Sequence, residues 1–290
     1  MTSPRTLLRA WNLQAKKQLG QNFLTDPNMA KSIVDKAQIG SDDVVLEIGP
    51  GLGAITGFAA DAAQQVIAID KDRQIIDLLK TELLAAGIDN VDIRNGDILR
   101  EDIEEIAREA NQPLVVLGNL PYNISSQVIV QLIRARRCVN RAILMLQKEM
   151  AQRLCAGPGS KVYGRLSVGL AYCARPRILM QVQARQFYPV PKVNSTVVGI
   201  DFVRHPRFPA DDEALFFKVV KAAFGKRRKT LRNALSQSDL KLTPSSCEQL
   251  LQKSGIDPMQ RAEQLPVASF VRLSNYIFRH FQLRESRENP

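Results

Sequence analysis

Residues 44–53, Val-Val-Leu-Glu-Ile-Gly-Pro-Gly-Leu-Gly, run a short apolar stretch straight into three glycines spaced two apart. Five apolar-rich residues that end abruptly at such a loop read as a strand buried on both faces, as in a parallel sheet. Glycines at that point permit a tight turn and let a ligand lie against bare backbone. Working outward, the same grammar repeats. The segment 29–37 (MAKSIVDKA) has helical periodicity, 54–63 (AITGFAADAA) is helical, and 65–70 (QVIAID) is a second buried strand ending in an acid. The run from Arg73 is a strong helix stopped by Gly87. Residues 91–97 (VDIRNGD) and 113–122 (PLVVLGNLPY) are a third and fourth strand, and SSQVIVQLIRAR is a helix capped by Ser125 or Ser126.

Strands alternating with helices mean βαβ units and an α/β, doubly wound, Rossmann-like sheet with helices on both faces. The β-rich stretch 195–203 (STVVGIDFV) is expected as an antiparallel addition to it. Two prolines and an acidic cluster in RHPRFPADD then break the pattern, and only helical stripes follow: Leu215, Phe216, Val219, Val220 and Phe224, then Phe270, Leu273, Ile277 and Phe278. Those stripes are core. The expected organisation is a basic arm and lid over 1–25, an α/β domain over 26–205 and a small all-helical domain over 206–290.

Charge supports that division. The net +11 is segregated: four basic residues and no acid precede Asp26, 21 basic and 20 acidic residues occupy 26–204, and 15 basic against nine acidic residues fill 205–290. A neutral core with basic flanks suits a nucleic-acid partner. The acid-free start is also compatible with a transit peptide, but a short basic arm accounts for the same letters and is the expectation, in a cytoplasmic protein. No apolar run is long enough to cross a membrane. The four cysteines, Cys138, Cys155, Cys173 and Cys247, form no CxxC pair, and only His205 and His280 supply imidazoles. Structural zinc, a disulfide framework and chemistry built on a histidine base are therefore not expected, and no metal is.

Two acids and a tetrapeptide sharpen the reading. Asp70 closes the second strand, 21 positions after Gly49, where a carboxylate can accept ribose hydroxyls. Asp97 ends the third at the same edge, suited to a donor such as an adenine amine, its other reading being a turn or cap aspartate. The fourth strand runs into Asn119-Leu120-Pro121-Tyr122. An adenine N6 is a poor nucleophile because its lone pair is delocalised into the ring. Acceptors at its two hydrogens, the Asn119 side-chain oxygen and the Leu120 carbonyl freed by the turn at Pro121, would pull that nitrogen towards tetrahedral geometry. Tyr122 offers a face for the base. Glycines 49, 51 and 53 preceded by Glu47 resemble class I methyltransferases more than NAD enzymes, so the cofactor expected is S-adenosylmethionine.

The stretches KKQLGQNFL (16–24), EIGPGLG (47–53), NGD (95–97), GNLPY (118–122), FYPVPKVNSTVV (187–198) and FGKRRKTLRNAL (224–235) run in one order across most of the chain. Together they resemble the ribosomal RNA adenine N6-dimethyltransferases, nearest to the bacterial small-subunit branch. That resemblance implies that Asn22 and Leu24 lie over the methionine end of the cofactor, that Gly49 and its neighbour Gly51 contact it through backbone, and that Asp70 stands where the family usually has Glu. It also implies that Phe187 closes the far face of the target base against Tyr122. The substrate implied is a pair of adjacent adenosines near the 3′ end of 16S rRNA in an immature 30S subunit, each methylated twice by a monomer. Lys226, Arg227, Arg228, Lys229 and Arg232 read as a phosphate-gripping turn, with Lys16 and Lys17 beside the lid in a similar role. The alternatives are a large-subunit adenine methyltransferase that shares the same core, and an assembly factor whose catalysis is incidental. A NAD-dependent oxidoreductase is a more distant one.

Overall fold

The computed structural model describes residues 3–226 and 228–288, with side chains as far as Gln282. It divides into two compact units, Met1–Gln152 with Arg175–Arg204, and Arg153–Ala174 with His205–Pro290.

In the first unit the elements are α1 (Pro4–Ala10), β1 (Phe23–Leu24), α2 (Pro27–Ala37), β2 (Val44–Ile48), α3 (Thr56–Ala62), β3 (Gln65–Asp70), α4 (Arg73–Ala85), β4 (Val91–Asn95), α5 (Ile103–Glu109), β5 (Leu114–Asn119), α6 (Ser125–Arg134) and β6 (Val139–Gln147). Helices α7 (Lys148–Leu154) and α8 (Arg165–Cys173) follow, and then the chain returns through β7 (Ala174–Val182), β8 (Phe187–Tyr188) and β9 (Ser195–Phe202). Seven strands form one sheet in the order β4-β3-β2-β5-β6-β9-β7. From β4 to β6 every pairing is parallel, and β9 joins β6 antiparallel, as the sequence led us to expect.

Why these segments are strands is visible in their burial. All five residues of β2 are buried, which four apolar side chains satisfy and Glu47 alone does not. β4, at the sheet edge, is only half-buried and accordingly carries Asp92 and Arg94. Alanines 30, 37, 59 and 60 let α2 and α3 lie close against Val45, Val66, Val115 and Leu117. The chain winds outward through β2, β3 and β4, then reverses to β5 and β6, so β2 and β5 flank the switch point at which open sheets bind ligands. Register does the rest. Ile48 lies opposite both Ile69 and Gly118, and Asp70 opposite Asn95, so Gly49, Asp70, Gly96 and Asn119 all emerge at one edge.

Three local expectations change. Neither Ser125 nor Ser126 caps α6: Ile124 holds the cap position, and the Ser125 hydroxyl, inside the first turn, donates to the Tyr122 carbonyl at 3.2 Å. The third and fourth strands are also shorter than read, ending at Asn95 and Asn119. Finally, 153–174 leaves the α/β unit to which a linear reading of 26–205 assigned it. Within the second unit the Tyr172 ring of α8 stacks on Phe216 at 4.3 Å, and the Tyr163 hydroxyl donates to the Leu265 carbonyl at 3.0 Å. There α8 accompanies α9 (Glu213–Ala223), α10 (Leu231–Ser236), α11 (Pro244–Lys253) and α12 (Val267–Glu288), around fully buried Phe216, Phe270, Leu273 and Ile277.

Leu46 is fully buried in the central strand. Leu46→Ala should cost about 2–5 kcal/mol of stability, read as a lower denaturant midpoint with little change in slope.

Candidate active site

At the carboxyl edge of β2, β3 and β5 the first unit encloses a cavity of about 860 Å³. Its wall is built from the glycine loop, Asp70, Gly96-Asp97, the segment Asn119–Tyr122 and the N-terminal stretch through Asn22.

The loop is shaped for close approach. Gly49 sits at φ +68° with its N–H donating to the Ile69 carbonyl at 2.9 Å. A Cβ there would meet nothing nearer than the Asn119 carbonyl at 4.0 Å, so bare backbone faces the cavity. At Gly51 a Cβ would lie 3.0 Å from the Phe23 ring, so glycine is what lets the N-terminal segment close down. Asp70 is held against this loop: Oδ1 accepts from Asp72 N at 2.8 Å and Oδ2 from Gly51 N at 3.4 Å. Burial raises its pKa, and those backbone bonds oppose the rise. Its short side chain folds back on its own loop where a glutamate would reach further, and it still lines the cavity. Asp97 lines the wall as well, its carboxyl held below the usual range by the Lys71 ammonium and by Leu99 N.

Across the switch point, the Asn119 amide donates from Nδ2 to the Asn22 carbonyl at 2.9 Å. That bond fixes which way the amide faces and leaves Oδ1 as the acceptor. Among the described residues no donor reaches the Leu120 carbonyl, while Leu120 N is anchored on Met145 O at 3.1 Å. Asn119, Leu120 and Pro121 all line the cavity wall. The half-buried Tyr122 ring stands beside them, its hydroxyl 3.3 Å from Ser195 Oγ. Asn22 and Leu24 both line the wall, and Leu24 also packs in the hydrophobic core.

Phe187 departs from expectation. It is 2% exposed and packs in the core with Leu24, Val182 and Val197. The short antiparallel pair of β1 and β8 sets Phe187 opposite Leu24 and Tyr188 opposite Phe23. Alternation then turns Phe187 inward, so it offers no open face to sandwich a ring against Tyr122. Lys16 departs too. Its ammonium binds buried Asp72 at 2.7 Å and Gln74 at 2.9 Å, and Gln21 adds a bond to Asp72 at 2.8 Å. Burial alone would raise the Asp72 carboxyl, but these partners more than offset it, and its pKa is lowered. Lys16 thus clamps the N-terminal segment to the first turn of α4, whereas Lys17 is exposed. In the second unit Lys226, Arg228 and Lys229 are exposed, Arg227 lies outside the described residues, and Arg232 is ion-paired with Glu248 at 3.3 Å.

Glu47, to which the sequence pattern assigns no role beyond preceding the glycine loop, is the least expected group at this edge. It is 1% exposed, lines the cavity, and its Oε2 has no partner. Burial pushes its carboxyl up to about 7, Thr56 pulling it part of the way back and Asp70 adding to the rise. The available signal was an acid inside an otherwise apolar strand. Among the described residues no group of three His, Cys, Asp or Glu could hold a metal, and no helix is long and apolar enough to cross a membrane.

The sheet order, the glycine turn at the switch point and the acids in register beside it define a Rossmann-like methyltransferase. Its family is specific: the ribosomal RNA adenine dimethylase profile matches residues 12–279, and the chain belongs to that family. A ribosomal RNA small subunit methyltransferase A from Desulforapulum autotrophicum is 44% identical over 278 residues, covering 96% of this chain and 97% of its own. One of the same name from Magnetococcus marinus is 43% identical, covering 93% and 95%. Among solved structures, a dimethyladenosine transferase from Plasmodium falciparum superposes with a TM-score of 0.76 at 26% identity, covering 91% of this chain and 98% of that one. The 23S rRNA methyltransferase ErmE shares the fold, with a TM-score of 0.68 at 24% identity, covering 89% and 100%.

Two outcomes follow from the buried groups. A carboxyl whose folded pKa lies above its unfolded one loses stability as pH rises between the two values. Without cofactor, Glu47→Gln should match wild type near pH 4, gain through pH 4.5–7, and level off on the order of 3 kcal/mol more stable. Thermal unfolding across that range checks it, and a pH-independent gap contradicts it. Phe187→Leu, which keeps an apolar core but no aromatic ring, should retain most methyl transfer. Loss of transfer with an unchanged melting temperature would restore Phe187 to the base site.

Proposed function

We propose that the protein methylates N6 of two adjacent adenosines near the 3′ end of 16S rRNA, twice each, with S-adenosylmethionine as donor. The observation that carries this is the Asn119 amide, held through Nδ2 on the Asn22 carbonyl so that Oδ1 is left as its acceptor, with Asn119 and Leu120 lining the same cavity as the glycine loop. The cavity's residues suit the donor: bare backbone at Gly49 and Gly51, Asp70 for ribose hydroxyls, and Asp97 for the adenine amine, with Asn22 above. When bound, S-adenosylmethionine supplies an electrophilic methyl on a sulfonium. Asn119 and Leu120 accept the two hydrogens of the target amine, drawing its nitrogen out of conjugation and orienting it. Such orientation supplies much of the rate in a displacement. No strong base is required, because the amine becomes acidic as it is methylated. Tyr122 stacks on the base, which must first be splayed from its helix.

The small-subunit assignment draws on the names and high coverage of the similar proteins. The exposed cations Lys226, Arg228 and Lys229 would grip RNA phosphates, with Lys17 contributing from the N-terminal segment. The reading includes action as a monomer, without metal, in the cytoplasm, on immature 30S particles during ribosome biogenesis.

Asn119→Ala should abolish transfer of labelled methyl to RNA while leaving cofactor affinity within a fewfold of wild type; near-normal transfer would defeat the proposal. Offering 30S and 50S particles side by side should label the 30S alone, and label in 23S rRNA would favour the large-subunit alternative. Replacing Lys226, Arg228 and Lys229 with alanine should weaken RNA binding and flatten its dependence on salt by up to about three contacts' worth of slope. An unchanged slope removes them from the interface.

A further inference from the structure

Lys71, the residue after β3, donates from Nζ to Asp97 Oδ2 at 2.7 Å. Leu99 N donates to the other oxygen, Oδ1, at 3.1 Å. Both acceptor atoms of the carboxylate are therefore engaged, and Lys71 and Asp97 both line the cavity. This is the carboxylate assigned above to the adenine amine of the cofactor, so the Lys71 ammonium competes with that amine for Oδ2.

The pair is built to open. The Lys71 side chain is 61% exposed and that of Asp97 21%, so water solvates the ammonium as soon as it leaves. Exposed ion pairs contribute little net free energy for that reason. Asp97 cannot readily turn to offer a fresh acceptor, because its other oxygen is fixed by the Leu99 amide. A purine amine is a neutral donor and forms a weaker bond to a carboxylate than an ammonium does, so it cannot ignore the competitor.

We propose that Lys71 is a displaceable occupant of the adenine acceptor at Asp97, and that its ammonium must swing into solvent before an adenosyl group can bind there. Lys71 thereby lowers affinity for every adenosyl ligand of the cavity, the spent S-adenosylhomocysteine as much as the donor. The ammonium returns only after the adenine has left, so the lowered affinity appears in the association rate. This rests on the cofactor reading of the cavity, and the experiment separates the two.

Titration calorimetry with S-adenosylhomocysteine, which is unreactive and carries no net charge, reads the effect without catalysis. Lys71→Met and Lys71→Gln should each bind about two- to fivefold more tightly than wild type at low salt, the span that an exposed ion pair covers. Raising the salt should tighten binding to the wild type, because screening loosens the pair, and leave both variants nearly unchanged. Equal or weaker binding by the two variants would overturn the proposal, since Lys71 would then share Oδ2 with the amine or support it. In the Lys71→Met background, where no pair is left to release, Asp97→Asn should weaken binding. Failure of Asp97→Asn to weaken it, or absence of binding to wild type, would instead sink the cofactor reading of the site.

Discussion

One hydrogen bond, from the Asn119 side-chain nitrogen to the Asn22 carbonyl, sets the geometry of everything around it. It crosses 97 residues of sequence and joins the end of a central strand to the segment that covers the cavity. Only an amide can donate there and still present an oxygen on its other side; aspartate would keep the acceptor and lose the donor. The Leu120 carbonyl beside it is positioned by the Met145 contact of the neighbouring strand. The two acceptors are therefore fixed by sheet register and one long-range bond within the chain. That is preorganisation in the sense that matters for orientation-limited chemistry.

The same edge gathers four acids, Glu47, Asp70, Asp72 and Asp97, and the fold answers each differently. Asp72 is buried and answered by Lys16 and Gln21. Asp70 leans on backbone amides, while Asp97 has an exposed lysine. Glu47 has no partner for one oxygen, so burial holds its proton on up to about pH 7. An edge so rich in acceptors suits a ligand with many hydrogen-bond donors and suits the pyrophosphate of a dinucleotide poorly.

Much of this was legible in the letters. β2, β3 and β5 announce themselves because buried parallel strands need apolar runs, and their polar endings mark the ligand edge. What failed to show has physical reasons. The insertion 153–174 reads as one more buried helix, because an apolar face does not say which core it joins. β7 carries Arg175, Pro176 and Arg177, a pattern that weakens any strand reading, and it stands at the sheet edge, where such residues are tolerated. α1 was hidden in the basic arm, although Ser3 as cap and Pro4 at the first turn were signals, and Leu7 and Leu8 are buried. The facing of Phe187 is decided by a two-residue pairing with Phe23-Leu24, and the role of Lys16 by a carboxylate 56 residues away. Long-range partners of that kind leave no trace in local pattern.

Asn119→Asp isolates the central bond, since it preserves size and acceptor while removing the donor. Backbone hydrogen exchange over residues 20–26, followed by mass spectrometry, should become faster in this variant as the covering segment loosens, with the exchange of β2 and β5 unchanged. Identical protection of 20–26 in the two proteins would show that the Asn119–Asn22 contact does not hold the segment down, and the account of the cavity built on it would fail.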